Sequence, residues 1–187
     1  ATVAPGGIGT FEFWLTVPNN PGTYNERFGL LSEGRSWLND NGLSFGLRVI
    51  PDILSWQWNS QYAYTDNTKT TARSLSSVKT GEKVYVGFTA KNTGNVTWSS
   101  TGNNPLRVGT LNPRDRISSF APGSNWVGTT RPATLKETTV APGGIGTFEF
   151  WITANSNGSF NERYGLLSEG KTWLNDTGLS YGIRVSP

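Results

Sequence analysis

The sequence predicts an all-β fold made of tandem and partial repeats of a β-sandwich, and three observations support this prediction. A long segment near the N-terminus recurs near the C-terminus, several short segments alternate apolar and polar residues, and turn residues separate them. The chain has 23 Gly and 10 Pro among its 187 residues. Short alternating segments between such turns are typical of antiparallel sheets. We find no segment with the periodicity of an amphipathic helix.

The internal repeat organises the whole chain. Residues 2–17 match residues 139–154 at 14 of 16 positions, and residues 25–49 match residues 161–185 at 19 of 25. The offset of 137 residues falls to 136 after a one-residue deletion in the turn between the two segments. A fixed period of this kind indicates repeated structural units.

The repeat divides the chain into three parts. Residues 1–51, the N-terminal copy, are interpreted as the second half of a repeat, and residues 52–187 as a complete repeat. The complete repeat consists of the first half, residues 52–136, and the C-terminal copy, residues 137–187. The first half has 10 basic and 4 acidic residues, a net charge of +6. The N-terminal copy has 3 basic and 4 acidic residues (−1), and the C-terminal copy 3 and 5 (−2).

The strands are predicted from a period of two residues. In residues 10–17, Phe11 and Phe13 share one face, while Glu12 and Trp14 share the other. Further strands are predicted over 26–33 with its later copy, 43–49, 53–65, 84–90 and 106–111. Residues 112–132 are predicted to form a long irregular loop, held in place by Phe120 and Trp126.

The composition excludes several classes of function. The chain has no Cys, no His and no Met, which removes thiol nucleophiles, Ser-His triads, Cys/His metal sites and disulfides. Its net charge of +3 is too small to predict a nucleic-acid partner. No apolar run approaches the roughly 20 residues of a membrane-spanning helix. We therefore expect no enzyme activity, no cofactor and no metal.

Paired carboxylates are the remaining candidates for acid–base chemistry. The pairs considered are Glu149 with Glu162 and Glu169 with Asp176, the second pair also as a calcium hairpin with Asn175. Both pairs recur in the N-terminal copy, and an enzyme seldom needs its acid–base pair twice. No Asp-x-Asp loop accompanies the hairpin. We interpret these side chains as turn and surface carboxylates.

The aromatic residues are the candidates for an interaction site. Alternation places Trp151, and Trp14 in the other copy, on the outer face of their strands, with Tyr85 on the neighbouring strand. Trp151 then either covers the bare backbone of a strand glycine, Gly87, or forms a platform for a sugar ring or the next subunit. Trp98 and Trp173, each beside a turn, are expected in the core rather than at a ligand contact. The predicted interaction residues are Trp14, Trp151, Tyr85, Phe11, Phe13, Phe45, Trp56 and Trp58.

The order of motifs from residue 83 onwards resembles a known family. A strand is followed by KNTGNVTW at 91–98, the long loop, VAPG at 140–143, NERY at 161–164 and EGKTW at 169–173. This order is similar to the four-tryptophan immunoglobulin-like domain, first described in a selective-autophagy receptor and common in bacterial surface proteins. The matching tryptophans are Trp98, Trp126, Trp151 and Trp173. The resemblance implies an immunoglobulin-like β-sandwich, and residues 1–51 repeat its second half.

These observations lead to a functional expectation with one alternative. The chain is expected to be an extracellular structural repeat protein that builds a bacterial surface fibre, stalk or array, with copies of itself as partners. The alternative is a glycan-binding or adhesive surface module that uses exposed aromatic rings.

The N-terminal copy has an apolar face but no opposite sheet of its own. We therefore expect another chain to supply the partner sheet, so that Phe11, Phe13 and Phe45 are buried by atoms from outside residues 1–51.

Overall fold

The computed structural model describes residues 2–187 and divides the chain into two compact units, Ala1–Pro51 and Asp52–Pro187. Its described residues form strands, turns and one 3₁₀ helix at Leu75–Ser77, and they contain no α-helix. The predicted all-β class is confirmed. The several sheets are compatible with a β-sandwich.

The strands are short and follow the predicted segments closely in the larger unit. The smaller unit contains β1 (Gly22–Arg27), β2 (Leu31–Ser32), β3 (Ser36–Trp37) and β4 (Ser44–Val49). The larger unit contains β5 (Trp56–Tyr64), β6 (Val78–Lys79), β7 (Lys83–Asn92), β8 (Trp98–Ser99), β9 (Leu106–Leu111), β10 (Thr139–Val140), β11 (Ile145–Thr153), β12 (Gly158–Ser168), β13 (Thr172–Trp173) and β14 (Ser180–Ser186).

The larger unit has two principal sheets. In the first, β7 lies between β11 and β5, and both pairings are antiparallel. In the second, β12 pairs with β9, β13 and β14, all antiparallel, and β6 adds to β14 in parallel. Strands β8 and β10 form a small separate pair. Each principal sheet therefore combines strands from the first half with strands from the C-terminal copy.

The core is formed by the inward-facing residues of both principal sheets, as alternation predicts. Phe88 of β7 stacks on Phe148 of β11 with ring centroids 5.1 Å apart, and Phe150 packs edge-on against Tyr164 of β12. Fully buried side chains from both halves complete this cluster: Trp56, Val78, Val84, Val86, Trp98, Leu106, Val108, Leu135 and Leu166.

The long loop between β9 and β10 is held by its aromatic residues, as predicted. Phe120 is buried and packs edge-on against Phe160, with centroids 5.0 Å apart. The indole Nε1 of Trp126 donates a 2.7 Å hydrogen bond to the backbone oxygen of Trp151. These contacts fix the loop against both sheets without regular secondary structure.

The smaller unit reproduces the hairpins of the C-terminal copy. Strands β1 and β4 pair in the register Glu26 opposite Phe45, which is the register of Glu162 opposite Tyr181 between β12 and β14. Strands β2 and β3 pair as β12 and β13 do, and the predicted continuous strand over 26–33 is interrupted between β1 and β2. The hairpin geometry therefore follows from local sequence.

The strand predicted over residues 10–17 is wrong. These residues form no strand, although the matching residues of the C-terminal copy form β11. Strand β11 hydrogen-bonds to β7 along its whole length, and an extended segment needs such a neighbour to satisfy its backbone groups. Among the residues that the structure describes, the N-terminal copy has the strand sequence but no partner strand beside it.

The two copies provide a matched pair of substitutions. Phe150→Ala should lower the free energy of unfolding of the larger unit by about 3–5 kcal/mol, because it opens a cavity in the core. Phe13→Ala changes the matching residue, which is half exposed, and should cost less than about 1 kcal/mol. Urea denaturation of the full chain measures both values. Equal losses would contradict the different environments of the two phenylalanines.

Candidate interaction surface

The N-terminal copy exposes a large apolar face. Phe11, Phe13 and Phe45 have 69%, 52% and 44% of their surface exposed. Their counterparts in the C-terminal copy, Phe148, Phe150 and Tyr181, have 0%, 3% and 3%. The three phenylalanines are therefore exposed in this single chain, and their burial by another chain stays a prediction. We call these side chains, together with Phe28 and Leu30, the exposed aromatic face; Trp37, opposite Leu31 in the β2–β3 pair, lies on the other side of the hairpin.

The rings of this face remain clustered although they are solvated. Phe13 lies 4.9 Å from Phe28 and 6.4 Å from Phe45, and Phe28 lies 5.9 Å from Phe45, measured between ring centroids. Beside the cluster, an open groove runs along Gly29 and Trp37. The side chains thus keep an arrangement that a partner surface can cover.

The C-terminal copy shows what covers the same residues when a first half is present. Tyr164, the counterpart of Phe28, is 1% exposed and packs against Phe150 and Trp126. Leu166, the counterpart of Leu30, is fully buried beside β9, which pairs with β12. The covering atoms come largely from β7, β9 and the long loop, all elements of the first half.

Trp173 does not lie in the core as predicted: it is half-buried outside the core cluster, and its surroundings show how specific the cover is. Its ring lies against the backbone of Gly109, where an added Cβ would come within 2.3 Å of the ring. The guanidinium carbons of Arg114 and Arg131 lie 5.3 and 5.6 Å from the ring centroid, within cation–π distance. The counterpart, Trp37, is 69% exposed. A glycine and two arginines from the first half therefore form the seat of this tryptophan.

Glu149 is the centre of a polar cluster on the outer face of β11. Its oxygens accept hydrogen bonds from Lys69 and Tyr62 at 2.7 Å, from Lys136 at 2.6 Å and from Tyr85 at 3.1 Å. Burial opposes ionisation, but the bonds from Lys136, Lys69 and Tyr62 outweigh it and lower the pKa of the Glu149 carboxyl to about 2. Burial and the same carboxylate raise the pKa of Tyr85 to about 12. The cluster ties three first-half segments to the C-terminal copy.

Contacts on the outer face of β7 test the two interpretations of Trp151, as a cover for Gly87 or as a binding platform. The ring that covers Gly87 belongs to Tyr62, since a Cβ at this glycine would lie 2.6 Å from the Tyr62 ring. Trp151 instead packs against Tyr85, which is directly opposite on β7, with centroids 5.1 Å apart. Both side chains are half-buried. Neither is a freely exposed platform.

The other predicted interaction residues differ in exposure. Trp14 is 99% exposed, and Trp58, on edge strand β5, is also exposed. Trp56 is 2% exposed, so its place among the interaction residues is corrected: it belongs to the core. Its indole Nε1 donates to the backbone oxygen of Asn175, and its backbone N–H donates to the Asn175 side chain. A sequence separation of 119 residues hides this partnership from local patterns.

The four candidate catalytic carboxylates have separate cationic partners. Glu162 accepts from Arg116 at 2.7 Å and Ser118 at 2.8 Å, while Glu149 binds its two lysines. The second predicted pair is divided in the same way, with Glu169 bound to Arg131 and Asp176 to Arg163. Within residues 2–187 there is no group of three or more acidic side chains placed to hold a metal ion. Structural ion pairs account for these carboxylates.

Comparison with known proteins identifies no family for the chain. No protein-family model matches it, and no curated protein matches it. Across residues 2–187, the structure has no helix with the length and apolar character of a membrane span. What supports a function is therefore the geometry of the chain itself.

The low pKa of Glu149 predicts a pH dependence of stability. A carboxyl whose pKa is lower in the folded state stabilises the fold above its ordinary pKa of 4.5 and loses that contribution as the pH falls towards 2. The melting temperature of the larger unit should therefore fall between about pH 5 and pH 2. Glu149→Gln should cost about 1–3 kcal/mol at pH 7 and flatten this dependence.

The control is Glu12→Gln, which changes the matching exposed residue in the N-terminal copy. It should leave the melting temperature at pH 7 unchanged. Differential scanning calorimetry of both variants across this pH range measures the effect. A Glu149→Gln protein that keeps the full acid dependence would show that other groups cause it.

Proposed function

We propose that this chain is part of an extracellular structural repeat protein whose immunoglobulin-like repeats build a bacterial surface fibre, stalk or array through inter-subunit β-sandwich contacts. One observation supports this proposal above all: the N-terminal copy exposes the same side chains that the C-terminal copy buries. A contiguous apolar patch of this kind marks an interaction site in a folded protein. The resemblance to four-tryptophan domains of bacterial surface proteins supports the surface location.

The geometry of the exposed aromatic face favours assembly over a small-molecule site. Its hairpins already have the same strand register as those of the covered copy. A partner sheet therefore packs on them without a change in their backbone pairing. A face that is broad and apolar matches a protein surface better than a small polar ligand. Contacts that pass from one repeat to the next through such a surface continue along an axis.

The ion pairs support a structural role rather than catalysis. Glu149 and Glu162, the nearest equivalents of an acid–base pair, are each held by basic side chains and hydroxyl donors. A general acid or base needs a pKa near the working pH, and the pKa of Glu149 is lowered away from it. We propose no catalytic residue, cofactor or metal for this chain.

Negative-stain electron microscopy of the native particle tests the proposal. An antibody against residues 52–187 would be used to isolate the particle from cells that express the chain. We expect thin fibres or stalks with a regular axial repeat, and surface labelling of intact cells by the same antibody. Isolated globular particles, or labelling only after the cells are permeabilised, would reject the structural function.

Glycan binding is the second candidate, and one feature favours it. Trp58 is exposed at the rim of a shallow groove that also includes Gln61 and Ser180, a combination of an aromatic ring and polar groups suited to a sugar. A glycan array probed with the full chain tests it. Binding that Trp58→Ala abolishes, while Trp14→Ala leaves it intact, would favour this function over the structural one.

A further inference from the structure

We propose that the exposed aromatic face is a docking surface for a first half of the same type as residues 52–136, supplied by the neighbouring repeat of the array. This inference rests on the proposed function and names the partner and the register of its contact. The partner is an all-β segment of net positive charge whose inner face is not already covered by a second half other than the N-terminal copy.

The first argument is the pairing of the C-terminal copy. Strand β11 pairs antiparallel with β7, from Ile145 opposite Lys91 to Thr153 opposite Lys83. Residues 8–16 match residues 145–153 apart from Leu15, which replaces Ile152. They therefore become a strand along the neighbour's equivalent of β7, with Trp14 opposite the equivalent of Tyr85. The neighbour supplies the missing backbone partner of residues 8–16.

The second argument is the side-chain complementarity of the same first half. In the docked state, Trp37 contacts the neighbour's equivalents of Gly109, Arg114 and Arg131. These three residues contact Trp173 in this structure. Glu12 is the counterpart of Glu149, so it receives the bonds that the first-half lysines and tyrosines donate here. A generic apolar surface does not offer these partners.

The third argument is charge. The first half carries a net +6, while the N-terminal copy carries −1 and the C-terminal copy −2. The net charge of each second half is therefore opposite in sign to that of the first half. This attraction acts over about 8 Å at physiological salt, so it assists the close contact rather than steering it from afar.

The fourth argument is that the exposed aromatic face is covered neither by the first half of this chain nor by the first half of a second identical chain. The inner surface of residues 52–136 is already covered by the C-terminal copy. The two copies are nearly identical, and the covalently linked copy has the advantage of a high effective concentration. The occupant must therefore be a first half whose own second half is the N-terminal copy.

A fusion protein with a second copy of residues 52–137 placed before residue 1 of the full chain tests this inference. The chain has no cysteine, so Leu30→Cys introduces a single thiol on the exposed aromatic face. Maleimide should label this thiol rapidly in the 187-residue chain. In the fusion, labelling should slow by at least about tenfold, because the matching Leu166 is buried and a buried thiol reacts only after local opening.

The matched control is the same fusion with Phe88→Asp in the added first half only, which places a charge on its inner face. Rapid labelling should return in this control. Hydrogen exchange of the backbone amides of residues 8–17, measured by NMR without the Leu30→Cys change, gives an independent readout. These amides should be protected in the fusion and unprotected in the 187-residue chain.

Two results would overturn the inference. The first is rapid labelling of the fusion together with unprotected amides at residues 8–17. The second is slow labelling of the 187-residue chain that depends on protein concentration, since a second copy would then cover the face. Protection in the fusion with no fibres in the micrographs would support the docking and reject the proposed fibre, so the two failures are distinguishable.

Discussion

The pairing of β11 with β7 is the interaction on which the rest of the larger unit depends. On its inner face it brings Phe148 against Phe88 and places Phe150 against Tyr164 of the second sheet. On its outer face it brings Glu149 to the lysines and tyrosines of the first half. The same backbone ladder therefore positions both the apolar core and the buried carboxylate.

The N-terminal copy shows the consequence of losing this pairing. Nearly the same sequence keeps its hairpins, including the Arg27–Asp40 ion pair that corresponds to Arg163–Asp176. It loses the strand that β7 would support, and its phenylalanines remain in solvent. Burial of these rings is the main gain that offsets the ordering of such a segment, since apolar burial stabilises by about 25 cal/mol per Å². An uncovered second half therefore exposes apolar side chains that the covered second half buries.

The candidate site was only partly predictable. Alternation correctly put Trp151 on the outer face of its strand, because side-chain direction in a strand has a period of two. The partners of Trp56, Glu149 and Trp173 were not predictable. Asn175 lies 119 residues from Trp56, and nothing in the local sequence marks Gly109 as the seat of a tryptophan. Such contacts join distant segments, so they arise only when the sheets assemble.

The sequence by itself determined the all-β class, the repeat and the local hairpins. The turn at Gly6 recurs at Gly143 with the same φ of 82°, and the β1–β4 register recurs between β12 and β14. These features depend on neighbouring residues, so both copies have them. Only the tertiary structure decided whether residues 10–17 and 147–154 form a strand. A strand depends on hydrogen bonds and burial from another segment, and within residues 2–187 the C-terminal copy alone receives them over this stretch.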